Sequence, residues 1–507
     1  MTVAESPLKR LIVQSSHYGV ASILTMMAGL ITFPILTRIF SVADYGLMNL
    51  VSTTLTMAVA IGKVGIQHSI IRYESEIRAG KGRYSLHQLY STTLLGMVVT
   101  GVITALVIGF GAQIVPDGWL SDQRLRGLFA ITSLLVVIQV TDSVLVNILR
   151  AEQESTTLMK YQVLKKYAGI GIILGTLFFV SRSLKGFYAA SIVSEGLAVL
   201  LLALVLFRTG RRPPPTTAQF SRPMYTELLK FGIPMMIGYE ISGIILSLGD
   251  RYVIDAVIGP EQLGLYSAAY NLCQYVQAAF IASVAQAITP IYMRLWDQKG
   301  KEETSAFIDR SLRSYTILAA PLVAGLAAVG PELLPALASN KYAAAGSVIP
   351  WVIAGMVVDS TNGIVGAGLF INRKTRVIMV IVILTALLNI GLNLVLVPRI
   401  GIIGAAIATL ISYTANSLTM AIAGRRLLPV KIPWLTILRA AGAALVMYFA
   451  LRNLFPGHRL ITVAVRVTLG APIYGLLMAA IDPDARALVR KGLERINRRA
   501  KRGGQSA

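Results

Sequence analysis

Fourteen separate runs of mostly apolar residues, each close to the roughly 20 residues that cross a bilayer as a helix, constrain this chain more than any other feature. They lie near 11–36, 47–64, 91–114, 128–149, 164–180, 186–207, 231–248, 265–288, 314–329, 348–371, 377–397, 401–423, 435–454 and 461–481. Lipid offers peptide groups no hydrogen bonds, so only helices and closed barrels span it. Barrel strands would alternate polar and apolar residues, and these runs do not. The expected fold class is an all-α integral membrane protein with about 14 transmembrane helices. A content of 55% hydrophobic and 14% charged residues is too apolar for an ordinary soluble domain.

The net charge of +23 comes from basic residues scattered between the apolar runs, with no single basic face, so nucleic acid is not an expected partner. Topology accounts for them better. Lys and Arg accumulate in cytoplasmic loops, and placing the N-terminus inside puts about 35 of the 47 basic residues on the cytoplasmic side and about 10 outside. Both termini are therefore expected in the cytoplasm. The cytoplasmic set includes Arg72, Arg78, Lys81 and Arg83, the group Arg208, Arg211 and Arg212, the cations of 373–376, and the tail residues Arg498, Arg499, Lys501 and Arg502. The first run follows Lys9 and Arg10, is too long for a signal-peptide core and lacks a clear cleavage site, so it reads as a retained span. The single cysteine, Cys273, excludes an intrachain disulfide and reads as a packing residue.

An internal repeat emerges from three matches in order. Gly46 in Ala-Asp-Tyr-Gly-Leu corresponds to Gly264 in Glu-Gln-Leu-Gly-Leu, and Gly186 corresponds to Gly404 at the same offset of 218 positions; Asp142-Ser143 and Asp359-Ser360 match at nearly that offset. Six spans separate equivalent positions, so the halves share one orientation, as in transporters whose parallel repeats enclose a central cavity. The expected organisation is an N-terminal lobe (1–207), a cytoplasmic connector (208–230), a C-terminal lobe (231–423), two further spans (424–481) and a basic tail (482–507).

Several motifs resemble a known family. Leu36-Thr-Arg-Ile-Phe with Asp44-Tyr-Gly-Leu, Phe231-Gly-Ile-Pro, Gly249-Asp-Arg-Tyr with Leu263-Gly-Leu-Tyr, and the small-residue run from Gly401 are similar to those of the Wzx-type polysaccharide flippases of the multidrug/oligosaccharidyl-lipid/polysaccharide (MOP) exporter superfamily. The resemblance implies two pseudo-symmetric six-helix lobes in a V shape plus two C-terminal helices. It implies a flippase in the bacterial inner membrane that moves undecaprenyl-pyrophosphate-linked oligosaccharide repeat units from the cytoplasmic to the periplasmic leaflet by alternating access. A polysaccharide polymerase and the export machinery are the implied partners, besides the lipid-linked glycan and membrane lipids. Spans 13 and 14 border a lipid-tail groove in some relatives.

Ionisable residues at membrane depth are costly and mark cavities or buried partners. Glu195, Glu240 and Asp359 fall near the midplane and Asp142 nearer the cytoplasm, as candidates for binding a coupling H⁺ or Na⁺ or for simple interhelical hydrogen bonding. The candidates for an anionic headgroup are Lys63, Arg38, Arg251 and Arg466. Arg38 and Arg251 stand beside the family-type turns, which favours a gate or structural role. Midplane acids outnumber midplane bases, which sits awkwardly with an anionic substrate. His17 reads as a packing or capping histidine; Tyr239, Tyr266, Tyr270 and Tyr275 as packing or interfacial aromatics; Pro34, Pro234, Pro290 and Pro321 as helix kinks. No metal site, cofactor or catalytic constellation is expected. The chain has no Gly-x-x-x-x-Gly-Lys-Ser/Thr loop for ATP, and its short outside loops gather none of the residues of a polymerase or ligase. An ion-coupled multidrug or other lipid exporter is the nearest alternative.

Overall fold

The structure, a computed structural model, describes residues 7–81, 83–208, 214–454 and 460–486. Arg211, Arg212 and the tail cations Arg498, Arg499, Lys501 and Arg502 lie outside the described residues. Within them every element is helical. The α-helices are α1 (Pro7–Ile39), α2 (Val42–Lys63), α3 (Gln67–Arg78), α4 (Leu86–Ile114), α5 (Arg124–Ala151), α6 (Ser155–Phe179) and α7 (Leu184–Arg208). They continue as α8 (Arg222–Met235), α9 (Ser242–Leu248), α10 (Asp250–Ile258), α11 (Pro260–Val276), α12 (Ala282–Leu337), α13 (Ile349–Asp359), α14 (Asn362–Val365) and α15 (Ala367–Ile371). The last three are α16 (Thr375–Gly424), α17 (Trp434–Leu454) and α18 (Leu460–Ile481). π-helical segments, Met236–Ile241 and Gln277–Ile281, join α8 to α9 and α11 to α12.

Twelve helical segments among the described residues are long and apolar enough to cross a membrane. The apolar runs outnumber them partly because helices continue through positions where the sequence reading ends one span and starts another. α16 joins the runs at 377–397 and 401–423, and its axis breaks between them at Ile400 and Gly401, the latter at φ 62°. α12 likewise breaks at Gly300, φ 76°, between the runs at 265–288 and 314–329.

Three boundaries differ from the sequence reading for physical reasons. α6 begins at Ser155, not near 164, because Lys160, Lys165 and Lys166 lower the hydropathy of its first turns without breaking the helix. α3 is an extra amphipathic helix that buries Ile70 and Ser69 after the turn at 64–66. The run at 348–371 is divided among α13, α14 and α15, and Asp359 closes the first of these pieces.

The helices form two compact units. One comprises Met1–Ser267 with Val382–Gly401; the other comprises Ala268–Ile381 with Ile402–Ala507. A core of the first unit joins Ile66, Ile70, Leu89, Met97, Val140, Val144 and Ile148 to Met224 and Leu228 of α8. In the second, Ala324 and Ala328 of α12 meet Ala440, Ala443 and Ala444 of α17, while Tyr474 and Met478 of α18 close the cluster. Small side chains let membrane helices approach closely enough for van der Waals packing, the main attraction available in lipid. Large apolar side chains such as Phe179 on α6, Leu201 on α7 and Leu384 on α16 stay exposed, as a lipid-facing surface requires.

Within the first unit the two copies of the repeat meet through their equivalent glycines. A Cβ on Gly46 would lie 2.0 Å from the carbonyl oxygen of Pro260, and a Cβ on Gly264 would lie 1.9 Å from that of Val42. The offset that maps Gly46 onto Gly264 also maps Val42 onto Pro260, so the contact is its own image under the repeat. The repeat seen in the sequence is thus a packing motif.

Gly46→Ala and Gly264→Ala should each cost about 2 kcal/mol or more, because overpacking is set here against rigid backbone. Gly175→Ala in α6, where nothing lies within 4 Å of the added carbon, should be neutral or stabilising by up to about 1 kcal/mol. Thermal unfolding of the purified variants in detergent measures the difference; equal midpoints would contradict the close approach.

Candidate functional site

A polar cavity of about 770 Å³ opens within the first unit. Its walls come from α1 (Ser22, Thr25), the end of α2 (Lys63), α5 (Gln139, Asp142, Arg150), α6 (Tyr161, Lys165, Lys166) and α7 (Glu195). The residues on α6 follow from its early start. From Ser155 to Lys165 the helix rises about 15 Å, which carries two lysines well into the bundle. Lys165 Nζ lies 2.9 Å from Asp142 Oδ2 and 3.8 Å from Glu195 Oε2. Tyr161 donates its hydroxyl to Asp142 Oδ1, and Gln139 Nε2 donates to Glu195 Oε1 at 3.1 Å. The structure therefore brings Asp142 and Glu195 together around one ammonium. That arrangement lowers the cost of holding acids at this depth.

Lys63, the last residue of α2, lies 3.1 Å from Glu240 Oε1, and His68 Nε2 lies 3.8 Å from the same oxygen. Val64 (φ 43°) and Gly65 (φ 72°) turn the chain out of α2 immediately afterwards. Thr100 on α4 steadies this end by donating to the Gly62 carbonyl at 2.6 Å. Across from it, a Cβ on Gly65 would stand 2.0 Å from the Gly232 carbonyl oxygen of α8, so the two backbones touch. Pro234 follows, and the π-helical segment after it carries Glu240.

The other sequence candidates take separate places. Arg251 is buried on α10, with Thr53 Oγ1 3.4 Å from its guanidinium; Tyr252 donates to Thr54 at 3.0 Å. Arg38 is exposed at the end of α1 and donates to the Pro34 carbonyl at 3.3 Å. Near that end of the spans Arg124 bridges Asp44 (2.6 Å) and Asp122 (2.8 Å), and its hydrogen bonds hold the Asp122 carboxyl below the usual carboxylate range. Asp255 accepts from Ser121 at 2.5 Å. In the second unit, Arg466 is buried on α18, 3.1 Å from Glu332 and 3.2 Å from the Ala328 carbonyl oxygen, so it joins α18 to α12. Asp359 accepts from Asn362 at 2.8 Å, and Ser417 donates to the Asn362 oxygen at 2.8 Å. The repeat-related acids Asp142 and Asp359 have thus acquired different partners.

The remaining assignments are local. His17 Nδ1 is 3.0 Å from Ser155 Oγ and ties α1 to the start of α6. Tyr266 donates to Asp250, while Tyr270 and Tyr413 bring their hydroxyls within 3.5 Å of each other. Tyr239 is exposed, and Cys273 is buried against the Ile349 carbonyl. A second cavity, about 730 Å³ and almost wholly apolar, lies in the second unit between α12, α13, α16 and α17, lined among others by Leu312, Val323, Trp434, Ile437 and Leu445.

Sequence reasoning missed Lys165, Lys166 and Arg150 as cavity residues. A signal was available: Lys160, Lys165 and Lys166 lie in a stretch with no proline or glycine to end a helix, so the apolar run understated its length. With them the cavity holds four basic side chains against two acidic ones, and the apparent surplus of acids disappears.

A family model described as "polysaccharide biosynthesis protein" matches residues 35–347. The chain is 21% identical over 418 residues to a probable low-salt glycan biosynthesis flippase of Haloferax volcanii, covering 82% of this chain and 85% of the relative. It is 23% identical over 349 residues to the succinoglycan biosynthesis transport protein ExoT of Rhizobium meliloti, covering 67% and 64%. In fold it resembles the lipid II flippase MurJ in an inward closed conformation, at a TM-score of 0.74 and 13% identity over 93% of this chain and 99% of that one. A multidrug resistance MATE family transporter of the MOP superfamily in an inward-facing conformation gives 0.60 at 15% identity, over 80% and 94%.

Lys165→Met should cost about 2 kcal/mol, between the values for exposed and fully buried ion pairs, since it leaves Asp142 and Glu195 facing each other without their shared cation. Adding Asp142→Asn should recover much of the loss. Unfolding midpoints of the single and double variants give the coupling energy; strict additivity would mean that the lysine is not their partner.

Proposed function

The chain belongs to the polysaccharide biosynthesis protein family of the MOP exporter superfamily, and from that premise we propose that it is a flippase for polyprenyl-diphosphate-linked oligosaccharides. The cargo is an undecaprenyl-pyrophosphate-linked repeat unit, carried from the cytoplasmic to the periplasmic leaflet of the inner membrane by alternating access for surface polysaccharide assembly. The observation that carries this reading is the first-unit cavity, where Lys63, Arg150, Lys165 and Lys166 converge inside a lipid-exposed helical unit. A diphosphate needs several cationic donors, which these side chains supply.

In this reading both termini are cytoplasmic, and the cavity residues at the end of α2 and the start of α6 belong to the half of the membrane from which the headgroup loads. A coupling cation, H⁺ or Na⁺, binds at an acid not already held by a lysine. Asp359 is the foremost such site, since its described partner is the Asn362 amide. Arg38 and Arg251, at the opposite ends of their spans, serve the outer gate, and Arg466 fixes α18 to α12. The names of the relatives, a glycan biosynthesis flippase and a succinoglycan transport protein, agree with a glycan cargo. The polymerase that consumes the exported unit is the natural downstream partner.

Depleting the protein in its native cells should abolish surface polysaccharide and leave lipid-linked oligosaccharide in the inner leaflet, inaccessible to a probe added outside. A Lys165→Gln/Lys166→Gln variant present at normal abundance should fail to restore export. Unchanged polysaccharide in cells without a second flippase, or a changed drug tolerance as the sole phenotype, would overturn the assignment.

A further inference from the structure

Lys63 serves two sites. It lines the first-unit cavity, while its ammonium is held at 3.1 Å by Glu240, which is not among the cavity-lining side chains. A ligand in the cavity would therefore compete with Glu240 for Lys63.

Both residues sit where their helices lose regular form. α2 ends at Lys63 in two consecutive left-handed residues, and Glu240 rides on a π-helical segment that begins two residues after Pro234. π-turns are rare and are found mostly where function demands an unusual side-chain placement. The backbone contact of Gly65 with Gly232 lies beside the pair, while the core that joins Ile66 and Ile70 to Met224 and Leu228 holds the rest of α8. The Lys63–Glu240 pair ties the end of α2 to the π-helical segment that follows α8.

We propose that Glu240 sets the charge threshold of the transporter: it keeps Lys63, and with it the tie between the end of α2 and the π-helical segment, until a polyanionic headgroup in the cavity takes the lysine over. The inference rests on the diphosphate reading of the cavity and adds a residue that selects among its ligands. A monoanion offers Lys63 only what Glu240 already provides, and leaves that carboxylate with His68, 3.8 Å away, in place of the ammonium. A diphosphate carries more charge and engages Lys165, Lys166 and Arg150 at the same time, so the exchange favours it. Once Lys63 turns to the ligand, the charged tie between the end of α2 and the π-helical segment is lost and both segments loosen there, while the apolar core keeps α8 in place. Neutral and singly charged amphiphiles leave the tie intact.

The test uses the full-length protein in detergent, with inorganic pyrophosphate and orthophosphate as probes. Hydrogen–deuterium exchange is followed in peptides covering 60–70 and 228–242, and affinity is measured by calorimetry. In the wild type, pyrophosphate should speed exchange in both segments and orthophosphate should not. Glu240→Gln should exchange fast without ligand and bind pyrophosphate roughly tenfold tighter, since Lys63 no longer has a competing partner. Lys63→Gln should also exchange fast but bind at least tenfold more weakly. The charge swap Lys63→Glu/Glu240→Lys should restore slow exchange without any response to pyrophosphate, which separates the latch from a general folding defect. Wild-type exchange and affinity in Glu240→Gln, or an equal response to the two anions, would overturn the inference while leaving the diphosphate cavity standing. Absence of pyrophosphate binding in the wild type and in Glu240→Gln alike would remove the cavity assignment and the latch together.

Discussion

Bare backbone contact at both ends of α2 is the constraint on which the first unit depends. At one end Gly46 and Gly264 admit each other's neighbouring carbonyls, and at the other Gly65 rests on Gly232. In lipid, burying apolar side chains between helices gains little over leaving them in acyl chains, so close packing and polar contacts must hold the helices together. The closest packing available to a helix is glycine against backbone. Its location at repeat-related positions explains why the motif around Gly46 reappears around Gly264 while most of the sequence between has diverged.

Charge follows from the same solvent. An ionised group at membrane depth needs a counter-charge or an aqueous wall. Asp142 and Glu195 share Lys165 on the wall of a cavity; Lys63 has Glu240 and the same cavity. Arg466 and Glu332, by contrast, pair inside the packing of α18 on α12, next to the alanine-rich contact with α17. The first two arrangements leave the cation within reach of a ligand and the third does not. That difference, rather than depth in the membrane, separates a headgroup residue from a structural one.

The fold was legible because its signals are strong and local. Apolar runs of spanning length admit one kind of element, and the equal offsets of Gly46 and Gly186 from their counterparts exposed the repeat before any contact was known. The site was legible only in part. Hydropathy finds the apolar middle of a helix and discards its polar turns, so it shortened α6 and left Lys165 and Lys166 at a margin. It gave no sign of α3, whose amphipathic pattern is too short to register, nor of the breaks that divide α13 from α14. Partners were still less accessible. Lys63 and Glu240 are far apart in sequence, and tertiary contacts such as the close approach of Gly65 to Gly232 bring them together.

The acids that looked out of place for an anionic cargo acquire a different meaning in this arrangement. A cavity built for a diphosphate must hold several cations in a low-dielectric wall while it is empty, and unpaired they would repel one another and resist burial. Asp142, Glu195 and Glu240 supply internal counter-charges for that state. They stand where the ligand's charge is absent, close enough to neutralise Lys165 and Lys63 and yet replaceable by a ligand with more charge and more contacts. Midplane carboxylates and an anionic substrate are then complementary, because the cations are shared in turn between protein acids and phosphate.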